Sequence, residues 1–161
     1  MEERTTVLYV DDNPKSNRLL AGVLEECGFR MISKTDPLEA LALCGRTSFD
    51  LALLDYEMPV MNGAQLAREI KRMMPEVPIV LISGRTSIPR AELEFVEAHF
   101  GFGTALDDLL WSMRILAPPK VVKRQPTPTG DVKIPSSEAA PFAGRQRSYE
   151  HMPESRWADS T

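Results

Sequence analysis

The chain has 161 residues, 43% of them hydrophobic and 26% charged, with a formal net charge of −4 and a pI near 5.3. Such a length and balance suit one ordinary globular domain. The acidic excess argues against nucleic acid as a partner, which requires a basic surface, and no apolar run approaches the roughly 18 residues of a membrane-spanning helix.

The N-terminus, Met-Glu-Glu-Arg-Thr-Thr, lacks the apolar core of a secretory signal. Cys27 and Cys44 fit no metal or redox spacing, so free buried thiols in a reducing cytoplasm are expected. Val7-Leu8-Tyr9-Val10 is a short apolar run rich in β-formers and predicts a first buried strand. It stops at Asp11-Asp12. Asn13-Pro14 then opens a helix, with Asn13 as its cap and Gly28 as its stop. Leu19, Leu20, Val23, Leu24 and Cys27 are expected on its buried face. Arg30 to Ser33 predicts a weaker second strand. Asp36-Pro37 starts a second helix with Leu38, Leu41 and Ala42 inward, and Gly45 ends it.

Leu51 to Leu54 is continuously apolar and too short for a buried helix. It reads as a strand covered on both faces, running from about Asp50 to Asp55. Pro59 and Asn62-Gly63 break the chain before a third helix over Ala64 to Met74, with Leu66, Ile70 and Met73-Met74 inside. Pro78 to Ser83 is a fourth strand, followed by Gly84. Ala91 to Ala98 is expected to be helical and His99 to Phe102 a short fifth strand. A last helix carries the stripe Leu106, Leu109, Leu110, Met113 and Leu116. Five βα units in succession predict a parallel sheet with right-handed crossovers and helices on both faces. Its site lies at the carboxyl ends of the strands.

Beyond Ala117 the composition changes. Residues 118–161 hold seven prolines and few aliphatics, too little apolar surface to offset the entropy of ordering. We expect a domain over 1–117 and a disordered tail over 118–161. The tail carries +2 (seven Lys/Arg against five Asp/Glu), which leaves −6 for residues 1–117.

Three strands thus end in polar residues at one edge: Asp11-Asp12, Asp55 and Ser83. Carboxylates gathered there raise one another's pKa unless a cation intervenes. A hard divalent ion such as Mg²⁺ suits a few carboxylates completed by phosphate oxygens and water. A carboxylate is also a competent nucleophile for phosphoryl transfer, and Ser83 could donate to a phosphoryl oxygen.

These residues resemble the receiver domains of bacterial two-component response regulators. The resemblance covers roughly residues 5–117. It rests on Val-Asp-Asp at 10–12, Leu-Asp-Tyr-Glu-Met-Pro-Val-Met-Asn-Gly at 54–63 and Ile-Ser-Gly at 82–84, taken together at these spacings. It implies a flavodoxin-like α/β fold, a doubly wound five-stranded parallel sheet of order 2-1-3-4-5. It implies Asp55 as phosphoacceptor, Asp11 and Asp12 as the acidic pocket, and Asp12, Asp55 and the Glu57 carbonyl as holders of Mg²⁺. Ser83 is then the switch hydroxyl. A cytoplasmic single-domain response regulator follows, not an enzyme. A sensor histidine kinase or phosphotransfer protein would charge it, and a downstream protein partner would read it.

One position departs from the pattern. The family carries a lysine at the end of its fifth strand, and here Phe102 falls at that place; no lysine lies between Lys71 and Lys120. His99 falls where an aromatic switch residue is common. Arg85, two residues past Ser83, is the candidate substitute, and Glu57 and Arg85 could pair across the site mouth. The lost lysine keeps open a second reading, a pseudo-receiver that binds partners without phosphorylation. An Asp-nucleophile phosphatase is disfavoured, because Glu57 stands where a second Asp belongs and the catalytic lysine is absent.

Overall fold

The structure, a computed structural model, describes residues 2–85, 87–101 and 103–121, all within one compact unit, Met1–Lys123. Phe102 and the tail from residue 122 lie outside the described residues. Five strands, β1 (Thr6–Val10), β2 (Arg30–Lys34), β3 (Leu51–Asp55), β4 (Ile79–Ser83) and β5 (Ala98–Gly101), form an all-parallel sheet of order β2-β1-β3-β4-β5. Helices α1 (Pro14–Glu26), α2 (Pro37–Leu43), α3 (Gly63–Met73) and α4 (Leu106–Leu116) cover both faces. The doubly wound, flavodoxin-like architecture is the expected one.

Alternate residues of each strand feed opposite cores. Val7, Tyr9, Leu51, Leu53 and Val80 pack with Ala21 and Leu24 of α1 and Leu109 and Met113 of α4. Leu8, Val10, Ala52, Leu54, Ile79 and Leu81 pack with Ala40 of α2 and Leu66, Ala67 and Ile70 of α3. Leu51 to Leu54 are fully buried, so β3 is the central strand. Fully burying one such aliphatic side chain contributes about 1.5–3 kcal/mol.

The inward faces differ from expectation in detail. On α1 the buried positions are Asn17, Ala21 and Leu24, spaced four and three residues apart. Leu19 is 70% exposed, because residues 100° apart on a helix cannot both lie at the centre of one face. On α2 the inner positions are Pro37 and Ala40, whereas Leu38 is exposed. On α3, Leu66 and Ile70 point inward as read, and Met73 does not. Cys44 is buried, Cys27 only partly, and both are free.

The larger correction concerns the fourth connection. The helix expected over Ala91 to Ala98 is a single 3-10 turn, Arg90–Leu93. Glu97 explains the difference. Its N–H already donates to the Ile79 carbonyl at 2.9 Å, and its carboxylate accepts from the Ile79 N–H at 2.6 Å and pairs with Lys71. The chain is therefore committed to the sheet by residue 97, and Pro89 breaks it on the other side. Between these two constraints the chain forms only the 3-10 turn. Ile88, Leu93, Phe95 and Val96 reach the core without a helix.

The described chain also continues past Ala117. Glu2–Glu3 pairs antiparallel with Lys120–Val121, the Thr5 hydroxyl donates to the Ala117 carbonyl at 3.0 Å, and Lys120 pairs with Asp50 at 2.6 Å.

Candidate functional site

Parallel strands end together. Because β1, β3 and β4 are neighbours in register, with Val10 beside Leu54 and Asp55 beside Ile82, their last residues share one edge of the sheet. Asp11, Asp12 and Asp55 converge there, each offering a carboxylate oxygen within 4.8 Å of the others. Ligands of a six-coordinate ion at about 2.1 Å lie no more than about 4.2 Å apart, so the carboxylates stand near that spacing without meeting it, and hard oxygen donors are the set Mg²⁺ prefers.

The three acids are not equivalent. Asp11 is almost wholly buried, and both its oxygens are engaged: Oδ2 accepts from the Tyr9 hydroxyl at 2.8 Å and Oδ1 from the Asn13 N–H at 2.9 Å. Burial first, then this bond and the nearby acids, push the Tyr9 phenol well above its ordinary range, so it remains a donor. Asn17 completes the support. Its amide donates to the carbonyls of Asp11 at 3.3 Å and Lys34 at 2.9 Å, tying α1 to the ends of β1 and β2. Sequence reading missed Asn17, although its position four residues before Ala21 marks it as inward.

Asp55 is half-buried. Desolvation, then the charges of Asp11, Asp12 and Glu57, raise its carboxyl from 3.8 to about 6, against a lowering by the Glu57 backbone N–H. Every charged side chain acting on it is acidic. The loop after it is tightly built. Val60 adopts a φ of 72°, uncommon for a β-branched residue and 85% exposed. Asn62 caps α3 in a reciprocal box with Gln65. Gly63 is required by contact: a Cβ there would collide with the Asp55 carbonyl oxygen and lie 2.7 Å from Leu81 Cδ1.

Ser83 is buried at the end of β4, and its Oγ accepts from the Arg85 N–H at 2.9 Å. Arg85 does not pair with Glu57. Its guanidinium lies 5.7 Å above the centre of the Tyr56 ring, and the ion pairs among the described residues include neither group. Tyr56 in turn donates its hydroxyl to Glu92 at 2.8 Å. His99 is exposed beside Leu81. Next to Asp11 and Asp55 a cavity of about 330 Å³ opens between α1 and α4, walled by Leu19, Leu20, Val23, Ile82 and Leu106.

Residues 7–100 match the response regulator receiver domain. The chain belongs to that family. A receiver fold is that of a signalling module. This receiver is 32% identical over 134 residues to protein-glutamate methylesterase/protein-glutamine glutaminase 3 of Hahella chejuensis, covering 73% of this chain and 38% of that protein. It is 36% identical over 94 residues to the cyclic di-GMP phosphodiesterase response regulator RpfG of Xanthomonas campestris, covering 55% of this chain and 25% of that one. The receiver thus spans well under half the length of these relatives. Among solved structures it is similar to the response regulator TrrA of Thermotoga maritima in complex with Mg²⁺-BeF. The TM-score is 0.66 at 26% identity, covering 70% of this chain and 98% of TrrA. A complex of TrrA with the histidine kinase ThkA matches with a TM-score of 0.64 at the same identity, covering 70% of this chain and 97% of that one.

Proposed function

We propose that this receiver accepts a phosphoryl group on Asp55 from a histidine kinase or phosphotransfer protein, in the presence of Mg²⁺, and signals by binding a protein partner. The observation that carries the reading is the convergence of the Asp11, Asp12 and Asp55 carboxylates at the sheet edge. An Asp55 carboxyl near 6 is mostly ionised at neutral pH and is available as a nucleophile. One of its oxygens attacks phosphorus as the donor's P–N bond breaks, and the electron pair leaves on the imidazole nitrogen, which takes up a proton. Asp12, Asp55 and the Glu57 carbonyl are the groups to hold Mg²⁺, which when bound neutralises charge on the transferred group. Asp11, fixed by a hydrogen bond at each oxygen, keeps lone pairs for the ion or its water and serves as the further acid of the pocket. Ser83 accepts through Oγ from the Arg85 N–H, so its own proton is free to bond a phosphoryl oxygen. Arg85 is the described cation nearest in sequence to this hydroxyl and the candidate for the role usually given to lysine.

Labelling by acetyl phosphate, read on a phosphate-affinity gel, tests the assignment. Wild type should be labelled with Mg²⁺ and not with a chelator, and Asp55→Asn should not be labelled. Undiminished label in that variant would refute Asp55. An unlabelled wild type would instead favour the pseudo-receiver. Calorimetry should show weaker Mg²⁺ binding by Asp12→Asn than by wild type; equal affinity removes Asp12 from the ligand set.

A further inference from the structure

The residue after Asp55 has no part in the chemistry above, yet it is held with unusual care. Tyr56 is buried, and its hydroxyl donates to Glu92 Oε2 at 2.8 Å. The Asn62 amide approaches the same oxygen at 3.4 Å. Glu92 lies in the 3-10 turn between β4 and β5, so it joins that connection to the phosphoacceptor loop. A ring fixed at its hydroxyl cannot turn away, and its face carries the Arg85 guanidinium at 5.7 Å from the centroid. Arg85 itself is exposed, and the ion pairs among the described residues do not include it.

We infer that Tyr56 is a positioning residue that stores the Arg85 guanidinium on its ring in the uncharged receiver and releases it when Asp55 is phosphorylated. The inference rests on the reading of Asp55 as the phosphoacceptor. Two seats compete for one cation. Stacking on a ring at an exposed site is a weak attraction. A phosphoryl group brings about two negative charges and three strong acceptors within reach of the same strand edge, a stronger one for guanidinium. Arg85 follows Ser83 by two residues, and its N–H already bonds the Ser83 hydroxyl. The Arg85 backbone is thereby held beside the hydroxyl that would meet the same phosphoryl oxygens, and only its side chain need move. Glu92 keeps the ring in place after Arg85 leaves, so the seat is ready when the phosphoryl group is lost.

The full-length chain with Mg²⁺ and beryllofluoride, a phosphoryl mimic, provides the test. In the metal-free wild type, ring current from Tyr56 should shift the Arg85 side-chain protons upfield, relative to the same signals in Tyr56→Leu. Saturation with the mimic should abolish that shift. A shift that persists at saturation overturns the inference. Removing the seat should also tighten binding of the mimic by about two- to fivefold, the factor set by an exposed cation–ring attraction. Tyr56→Leu should show this gain with Arg85 present and none in an Arg85→Ala background. An equal effect in both backgrounds makes Tyr56 merely structural. Should Tyr56→Leu fail to fold, the wild-type shifts, referenced to Tyr56→Phe at saturation, still decide. A wild type that does not bind the mimic at Asp55 overturns the phosphoacceptor reading as well; binding without displacement of Arg85 overturns the latch alone.

Discussion

Asp55 carries the tension of the site in its protonation. Burial and the facing acids raise its carboxyl from 3.8 to about 6. Between those values the folded chain holds more protons than the unfolded chain, so stability falls as pH rises through the window, and the penalty is complete above it. Metal-free Asp55→Asn should therefore melt at a higher temperature than wild type at about pH 7.5, and the gain should vanish below about pH 3, where the carboxyl is largely protonated in both states. Added Mg²⁺ should close the gap from the wild-type side. Thermal melts across pH check this, and equal melting of the two proteins at neutral pH would show that the neighbours exert no strain. At this scale the sequence was partly legible. Asp11, Asp12, Asp55 and Ser83 announce themselves as polar residues ending apolar runs. Asn17 carried only the weak signal of its helical spacing, and Tyr56 and Glu92 carried none, because the fold brings them together from 36 positions apart and no periodicity marks such a pair.

Among the elements, α1 has two duties. Its Asn17, Ala21, Leu24 face buries against the sheet, while Leu19 stands exposed at the rim of the cavity beside Asp55. On the proposed function a donor protein would approach Asp55 beside this rim, and an acidic residue there would oppose an apolar contact. Leu19→Glu should leave stability within about 0.5 kcal/mol, as for exposed sites generally. It should keep acetyl phosphate labelling yet slow transfer from a cognate phosphodonor protein by tenfold or more, the factor of about 1.4 kcal/mol. Equal rates from the protein donor would place its contact elsewhere. Helix existence was legible wherever a cap and an apolar period coincided, as at Asn13-Pro14 and Asp36-Pro37. The failure over residues 91–98 came from a long-range commitment: Glu97 bonds Ile79, and tertiary pairing overrode local helix propensity.

For the whole molecule, the order of strands was read from resemblance and the layers from periodicity, and both agree with the sheet described. The end of the domain was read from composition, which is blind to a two-residue ladder. Glu2–Glu3 with Lys120–Val121 lies past the proline-rich shift. We propose that the domain closes near Lys123 and that residues beyond it are dispensable for folding. A chain ending at Lys123 should melt within about 2 °C of full length. One ending at Ala117 loses the ladder and an exposed, screened ion pair, and should melt a few degrees lower still, well under the roughly 10 °C that several kcal/mol would cause. A larger fall on removing 124–161 would give those residues a structural role. The acids gathered at the mouth also act beyond contact. Residues 1–117 carry −6, and charge of that sign slows the arrival of anions while drawing in divalent cations. Screening confines the effect to about 8 Å at physiological ionic strength. A small anionic phosphodonor meets that barrier alone at its last approach. A protein donor crosses it already docked, with the encounter stabilised by surfaces outside the screened zone. If Asp55 is phosphorylated as proposed, such a receiver would discriminate among phosphodonors by association rate, before any group at the site has touched them.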